Sequence, residues 1–66
     1  MKTESQFRRE FPKALRERRM ALGLTQGQFA KYCGMSQDWI SHFEAGRRLP
    51  SAFGYWRITQ AFGDLI

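Results

Sequence analysis

"TQGQFAKYCGMSQDWISHFEAGRR", residues 25–48, decides the fold. Thr25 stands three residues before Gln28, the spacing of a capping box, and Ser36 opens a second run just after Gly34. Two short helices are predicted. The first runs from Thr25 to Gly34 with Phe29, Ala30 and Cys33 facing inward, and the second from Ser36 to Gly46. The tight Gly-Met-Ser connection between them makes a helix-turn-helix.

At roughly 100° per residue, Ser36, Ile40 and Phe43 share one side of the second helix, with Glu44 at the edge of that stripe. Gln37, Asp38, Ser41, His42 and Ala45 fall on the opposite arc. That arc carries hydrogen-bonding groups rather than the Lys and Glu mixture of an ordinary solvated face. Gln matches the donor and acceptor pair of adenine, Asp accepts from cytosine N4, and Ser or His bond several base edges. Gln37, Asp38, Ser41 and His42 are therefore candidate base readers. No Arg or Lys lies between positions 36 and 44. Phosphate affinity is expected from the flanks, at Arg47 and Arg48 and at the amide-rich start of the first helix around Gln26. Trp39 falls between the two faces, with its ring either packed partly on the core or laid along the sugar-phosphate backbone. Gly27 sits in a first turn, where a tolerated local cost is the preferred reading over close approach of bare backbone to a phosphate.

Upstream, "PKALRERRMAL" (residues 12–22) places Pro in a first turn and is stopped by Gly23, with Phe11, Leu15 and Leu22 as its inward face. Residues 1–11 are read as an arm, a helical turn or two capped by Thr3 with Gln6, leading into a domain over residues 12–66. Downstream, "SAFGYWRITQAF" (residues 51–62) is a further helix with Tyr55, Ile58 and Phe62 on its core side. Phe53 and Trp56 lie roughly 120° to 180° from that side and need cover, either from Phe7 of the arm or from a second subunit. Leu65 and Ile66 add apolar surface and favour the second subunit.

The totals fit this reading. A chain of 66 residues, 42% hydrophobic and 15% aromatic, is one folded domain with a small core. Eleven Lys and Arg against six Asp and Glu, a formal charge of +5, suit nucleic acid or an anionic membrane. No apolar run approaches the ~18 residues of a bilayer span, and no apolar leader core follows the first Met. The expected location is the cytoplasm, on the nucleoid of a bacterial or phage-infected cell. A membrane-surface helix would need a broad apolar face, whereas residues 12–22 carry Glu17 and few large apolar groups. Cys33 is the single cysteine and is read as a small core residue. His42 is the single histidine, so neither metal nor cofactor is expected. Neither a Ser, His and Asp constellation with its supporting motif nor a phosphate-cradling glycine loop appears, and the chain is not read as an enzyme.

The stretch "LRERRMALGLTQGQFAKYCGMSQDWISHFEAGRRLP" (residues 15–50) resembles the lambda-repressor/Cro-like, or XRE-like, helix-turn-helix family, over about Phe11 to Gly63. The features in register are "GLTQ", the "FA" inside the first helix, the turn Gly34, Ile40 and Phe43 on the inner side, "EAG" closing the second helix, and Pro50 before the last. The resemblance implies a compact all-α domain of four to five helices binding double-stranded DNA. It implies Gln26 on a phosphate and bracing Gln37, then Gln37, Asp38, Ser41 and His42 at base edges. It further implies Arg47 and Arg48 on the backbone, and a partly buried ion pair between Arg19 and Glu44. The sequence departs from the family in that "DLI", rather than a fifth helix, follows Gly63, which leaves the usual dimer surface in doubt. The implied function is a repressor that binds an inverted-repeat operator as a homodimer and occludes a promoter, as compact phage repressors do, those beside anti-CRISPR genes included. The rival is an antitoxin-like protein-interaction module working through Phe53, Trp56, Leu65 and Ile66.

Overall fold

The computed structural model describes residues 3–65 and contains four helices: α1 (Glu4–Ala21), α2 (Gln26–Cys33), α3 (Gln37–Glu44) and α4 (Ala52–Phe62). Ile66, placed by the sequence on an apolar carboxyl-terminal surface, lies outside the described residues.

Each helix starts at a hydroxyl cap. Thr3 and Gln6 cap α1 reciprocally, with the Gln6 amide N–H donating to Thr3 Oγ1 at 3.2 Å and the Thr3 N–H to Gln6 Oε1 at 2.8 Å. Thr25 and Gln28 repeat the arrangement on α2 at 3.1 and 2.9 Å. Ser36 and Ser51 cap α3 and α4 by accepting from the Trp39 and Gly54 N–H groups. The turn after α2 depends on Gly34, whose φ of +68° lies in the left-handed region that strains other residues.

The sequence reading started the first long helix at Pro12; it starts at Glu4 and runs through the proline without a break. A proline inside a helix removes one backbone hydrogen bond and crowds the preceding turn, at a cost of ~3 kcal/mol. Tertiary packing on both sides of Pro12 outweighs that cost. Phe11 and Leu15 are fully buried, and Phe7 stacks on Phe11 at 5.2 Å and meets Tyr55 edge-on at 5.7 Å. Phe7 is therefore occupied by the core and does not cover Phe53 or Trp56, as the arm reading would have had it. Leu22 also differs from its inward assignment. It caps the end of α1 and is half exposed, because the chain turns at Gly23 and brings Leu24 onto the core instead.

The core is Phe11 and Leu15 of α1, Phe29, Ala30 and Cys33 of α2, Ile40 and Phe43 of α3, and Ile58 of α4. α3 packs on both α1 and α2, and α4 closes against α2. Phe29 stacks on Phe62 at 4.1 Å, and Phe11 meets Phe43 edge-on at 6.0 Å. Two arginines fasten helix ends from a distance: Arg57 donates to the Gly34 carbonyl at 2.9 Å, and Arg18 to the carbonyls of Phe62 and Asp64. Buried on its inner side by two helices, α3 keeps its outer side free.

Candidate nucleic-acid interface

α3 leaves Gln37 and Asp38 exposed, with Ser41 and His42 half-buried one turn further on. All four project from one short helix, so the structure brings the predicted base readers together. His42 has its Nδ1 turned inward and without a hydrogen-bond partner among the described residues, leaving Nε2 as the nitrogen that can meet a ligand. Asp38 is the single carboxylate on this outer arc, since Glu44 is engaged inward.

A hydrogen-bonded triad sets the angle at which α3 is presented. Arg19 donates from Nε to Glu44 Oε2 at 2.8 Å and from Nη2 to Oε1 at 3.1 Å. Its remaining terminal nitrogen donates to the Leu24 carbonyl at 2.9 Å. Gln26 Nε2 donates to the same Glu44 Oε1 at 3.3 Å. The end of α1, the start of α2 and the end of α3 thus meet on one carboxylate. The Arg19 and Glu44 side chains are only 16% and 7% exposed. Their bidentate pairing raises the Arg19 pKa, mainly through the hydrogen bond to Glu44 and against the opposing effect of burial.

Gln26 therefore braces Glu44 rather than Gln37, which has a different neighbour. A Cβ on Gly27 would stand 3.2 Å from Gln37 Oε1, so the bare backbone of α2 is what Gln37 rests against. Of the two sequence readings of Gly27, neither named this contact. Only the distance between α2 and α3, which no spacing in the sequence encodes, discloses it.

Arg47 and Arg48 follow α3 in an exposed turn. Arg48 lies over the Trp39 ring, 5.4 Å from its centroid, and Trp39 leans on Phe43 at 5.8 Å while staying 43% exposed. Trp39 thus packs partly on the core, the first of its two sequence readings, and keeps the rest of its ring at the surface. The apolar residues assigned to a second-subunit surface differ in exposure among the described residues. Phe53 and Trp56 stack on each other at 5.8 Å and are 62% and 53% exposed, whereas Leu65 packs on the core beside Arg9, Lys13 and Glu17 of α1. Arg8 and Arg57, which the sequence reading left without a role, join Trp39, Arg48 and Phe53 around one groove.

Among the described residues no group of His, Cys, Asp and Glu has the makings of a metal site, and no helix is long and apolar enough to cross a membrane. Cys33 is buried, and burial pushes its thiol up to about 11, away from the range of a reactive thiolate.

No curated protein and no solved structure matches the chain. A family model described as a helix-turn-helix domain matches residues 11–63, from the buried Phe11 through both helices of the motif to the turn after α4. With its motif helices, its turn and its outward polar face all inside that match, the chain belongs to the helix-turn-helix domain family of DNA-binding proteins.

Proposed function

We propose that the protein is a sequence-specific transcriptional regulator acting as a repressor. The observation that carries this reading is the outer face of α3. Gln37, Asp38, Ser41 and His42 stand there on a helix whose orientation is fixed by a nearly buried Arg19–Glu44–Gln26 network. Side chains offered in matched donor and acceptor pairs, on a rigid element, are what base-edge reading in a major groove requires. Arg47 and Arg48 grip the phosphates beside the helix, with the Trp39 indole along the sugar-phosphate backbone and the start of α2 at Gln26 facing a further phosphate.

One such helix reads only a few base pairs. Two copies about one helical turn apart, ~34 Å, on an inverted repeat supply the remaining specificity, and a dimer seated over a promoter occludes polymerase. The exposed Phe53–Trp56 pair is the surface assigned to joining the copies. The same exposed pair favours the second reading, a protein-interaction module of antitoxin type, for which the α3 side chains would be dispensable.

Selection from random duplex DNA tests the two. A palindromic winner preferred over scrambled DNA by ~10³-fold or more establishes the regulator. Weak, wholly salt-sensitive binding with no enriched sequence replaces it with the interaction module.

A further inference from the structure

Most cations of α1 are engaged within the fold. Arg8 pairs with Glu4 at 3.0 Å and Lys13 with Glu17 at 3.9 Å, Arg18 holds the carbonyls of Phe62 and Asp64, and Arg19 is locked on Glu44. Past α3, Arg48 lies over Trp39, and Arg57 over Phe53 at 5.1 Å from the ring centroid. Arg16 is different. It is exposed, and the positions three and four residues away are Pro12, Lys13, Arg19 and Met20, none of them acidic. Among the described residues it has no ion pair and no side-chain hydrogen bond.

The surroundings of Arg16 belong to the reading face. It borders a shallow hollow of about 290 Å³ together with Arg19, Gln26 at the start of α2, and Ser41, Glu44 and Ala45 at the end of α3. Ser41 and Ala45 lie on the outer arc of α3, whereas Trp39, with Arg48 over it, lies roughly 120° to 160° round the helix from them. Cations therefore stand on both flanks of α3, Arg48 on one and Arg16 on the other.

A helix seated in a major groove has a phosphate strand on each side. Arg47 and Arg48 serve one of these. The other faces the start of α2, where Gln26 Nε2 already donates to Glu44 Oε1 at 3.3 Å. Glu44 does not repel an anion there, because both its oxygens accept from Arg19. The small side chains of Ser41 and Ala45 leave the way from Arg16 to the groove open. A guanine edge is the other partner a guanidinium takes in DNA. Arg16 belongs to α1, which packs on the inner side of α3, so its guanidinium comes to the rim of the groove, where phosphates lie, and not to the floor, where base edges lie.

The geometry points to Arg16 as a phosphate contact on the strand opposite the one gripped by Arg47 and Arg48, so that α1 takes part in holding the duplex. The inference rests on the proposed seating of α3 in a duplex, but not on which bases it reads.

The test is fluorescence anisotropy of the full chain with a fluorescein-labelled twenty-base-pair duplex of mixed sequence, at salt concentrations from ~50 to ~200 mM. The wild type is compared with Arg16→Ala, Arg16→Lys and Arg9→Ala, each checked for folding by circular dichroism. Arg9 is the charge control, an exposed α1 cation beside Glu10, Glu17 and Leu65 in a hollow that no α3 residue borders. Arg16→Ala is expected to reduce the slope of log affinity against log salt by about one, so that the fourfold rise in salt weakens it about 3.5-fold less than the wild type. Arg16→Lys is expected to keep the slope, since a phosphate accepts a point charge, and Arg9→Ala to keep it as well. A slope for Arg16→Ala that changes no more than that of Arg9→Ala overturns the inference. A loss confined to the duplex won by selection, which Arg16→Lys does not restore, overturns it in favour of a guanine contact. Failure of selection beside a lowered Arg16→Ala slope removes the operator reading and leaves this contact standing, while a wild type that binds no duplex removes both.

Discussion

Gln37 rests on the bare backbone of Gly27, with its Oε1 where a Cβ on that glycine would have a neighbour at 3.2 Å. The contact makes α2 a stop for the first side chain of α3 proposed to read a base. Gly27→Ala is expected to leave the fold as stable or up to ~1 kcal/mol more stable, since Ala is the better helix former and the crowded atom ends a flexible side chain. The same substitution displaces the Gln37 amide and changes the preferred base at its position. Thermal melts and repeat selection check the two effects, and an unchanged preference would separate Gly27 from recognition.

Glu44 holds Arg19 and Gln26 together in a nearly dry corner. Glu44→Ala leaves Arg19 buried without its carboxylate and is expected to cost about 3–5 kcal/mol, most of the stability of a domain this small. Arg19→Met combined with Glu44→Leu removes both charges and restores much of the loss. Urea titrations of the single and double variants measure the difference.

Arg47 extends from an exposed turn after α3. Arg47→Ala is expected to weaken all DNA sequences alike and to reduce the slope of log affinity against log salt by about one. Gln37→Ala is the contrasting case: a loss of ~1–3 kcal/mol confined to the cognate site, with the slope unchanged.

Cys33 makes stability depend on alkali. Its thiol is held at about 11 in the fold against 9.0 for the ordinary group, because burial disfavours the thiolate. Below the lower value both states are protonated and the contribution is fully present. Between the two values the unfolded chain ionises first, so stability falls as pH rises, by at most about 2–3 kcal/mol. Urea midpoints followed through that window should decline more steeply for the wild type than for Cys33→Ala.

Trp56→Asp places a charge at the centre of the exposed α4 pair. Monomers in sedimentation, together with weaker operator binding, are the expected outcome for a dimer joined there. An unaltered dimer mass would assign the interface to another surface.

What the sequence disclosed was mostly local. Capping boxes at Thr3 and Thr25, the glycine stop after α2, and the inward positions Phe29, Cys33, Ile40 and Phe43 depend on spacing within a few residues, and each appears in the structure as read. The resemblance added one distant pair, Arg19 with Glu44, which meet at 2.8 Å. Pro12 was misleading for a physical reason: its local penalty is real, and only the distant Tyr55 and Phe43, packed around Phe7 and Phe11, reverse its effect. The outer arc of α3 was legible as a face because helical periodicity defines it. The Gly27 contact with Gln37 and the arginines over Trp39 and Phe53 were not, because they depend on how separate elements dock.

The run of α1 through Pro12 also bears on where this domain can be cut. The family match begins at residue 11, yet Phe7 lies before it and supplies two of the aromatic contacts around Phe11 and Tyr55. The unit that folds is thus longer than the unit its family shares. A truncation or fusion placed at the edge of the shared region would open the hydrophobic interior from one end, while a junction ahead of Thr3 would leave it sealed.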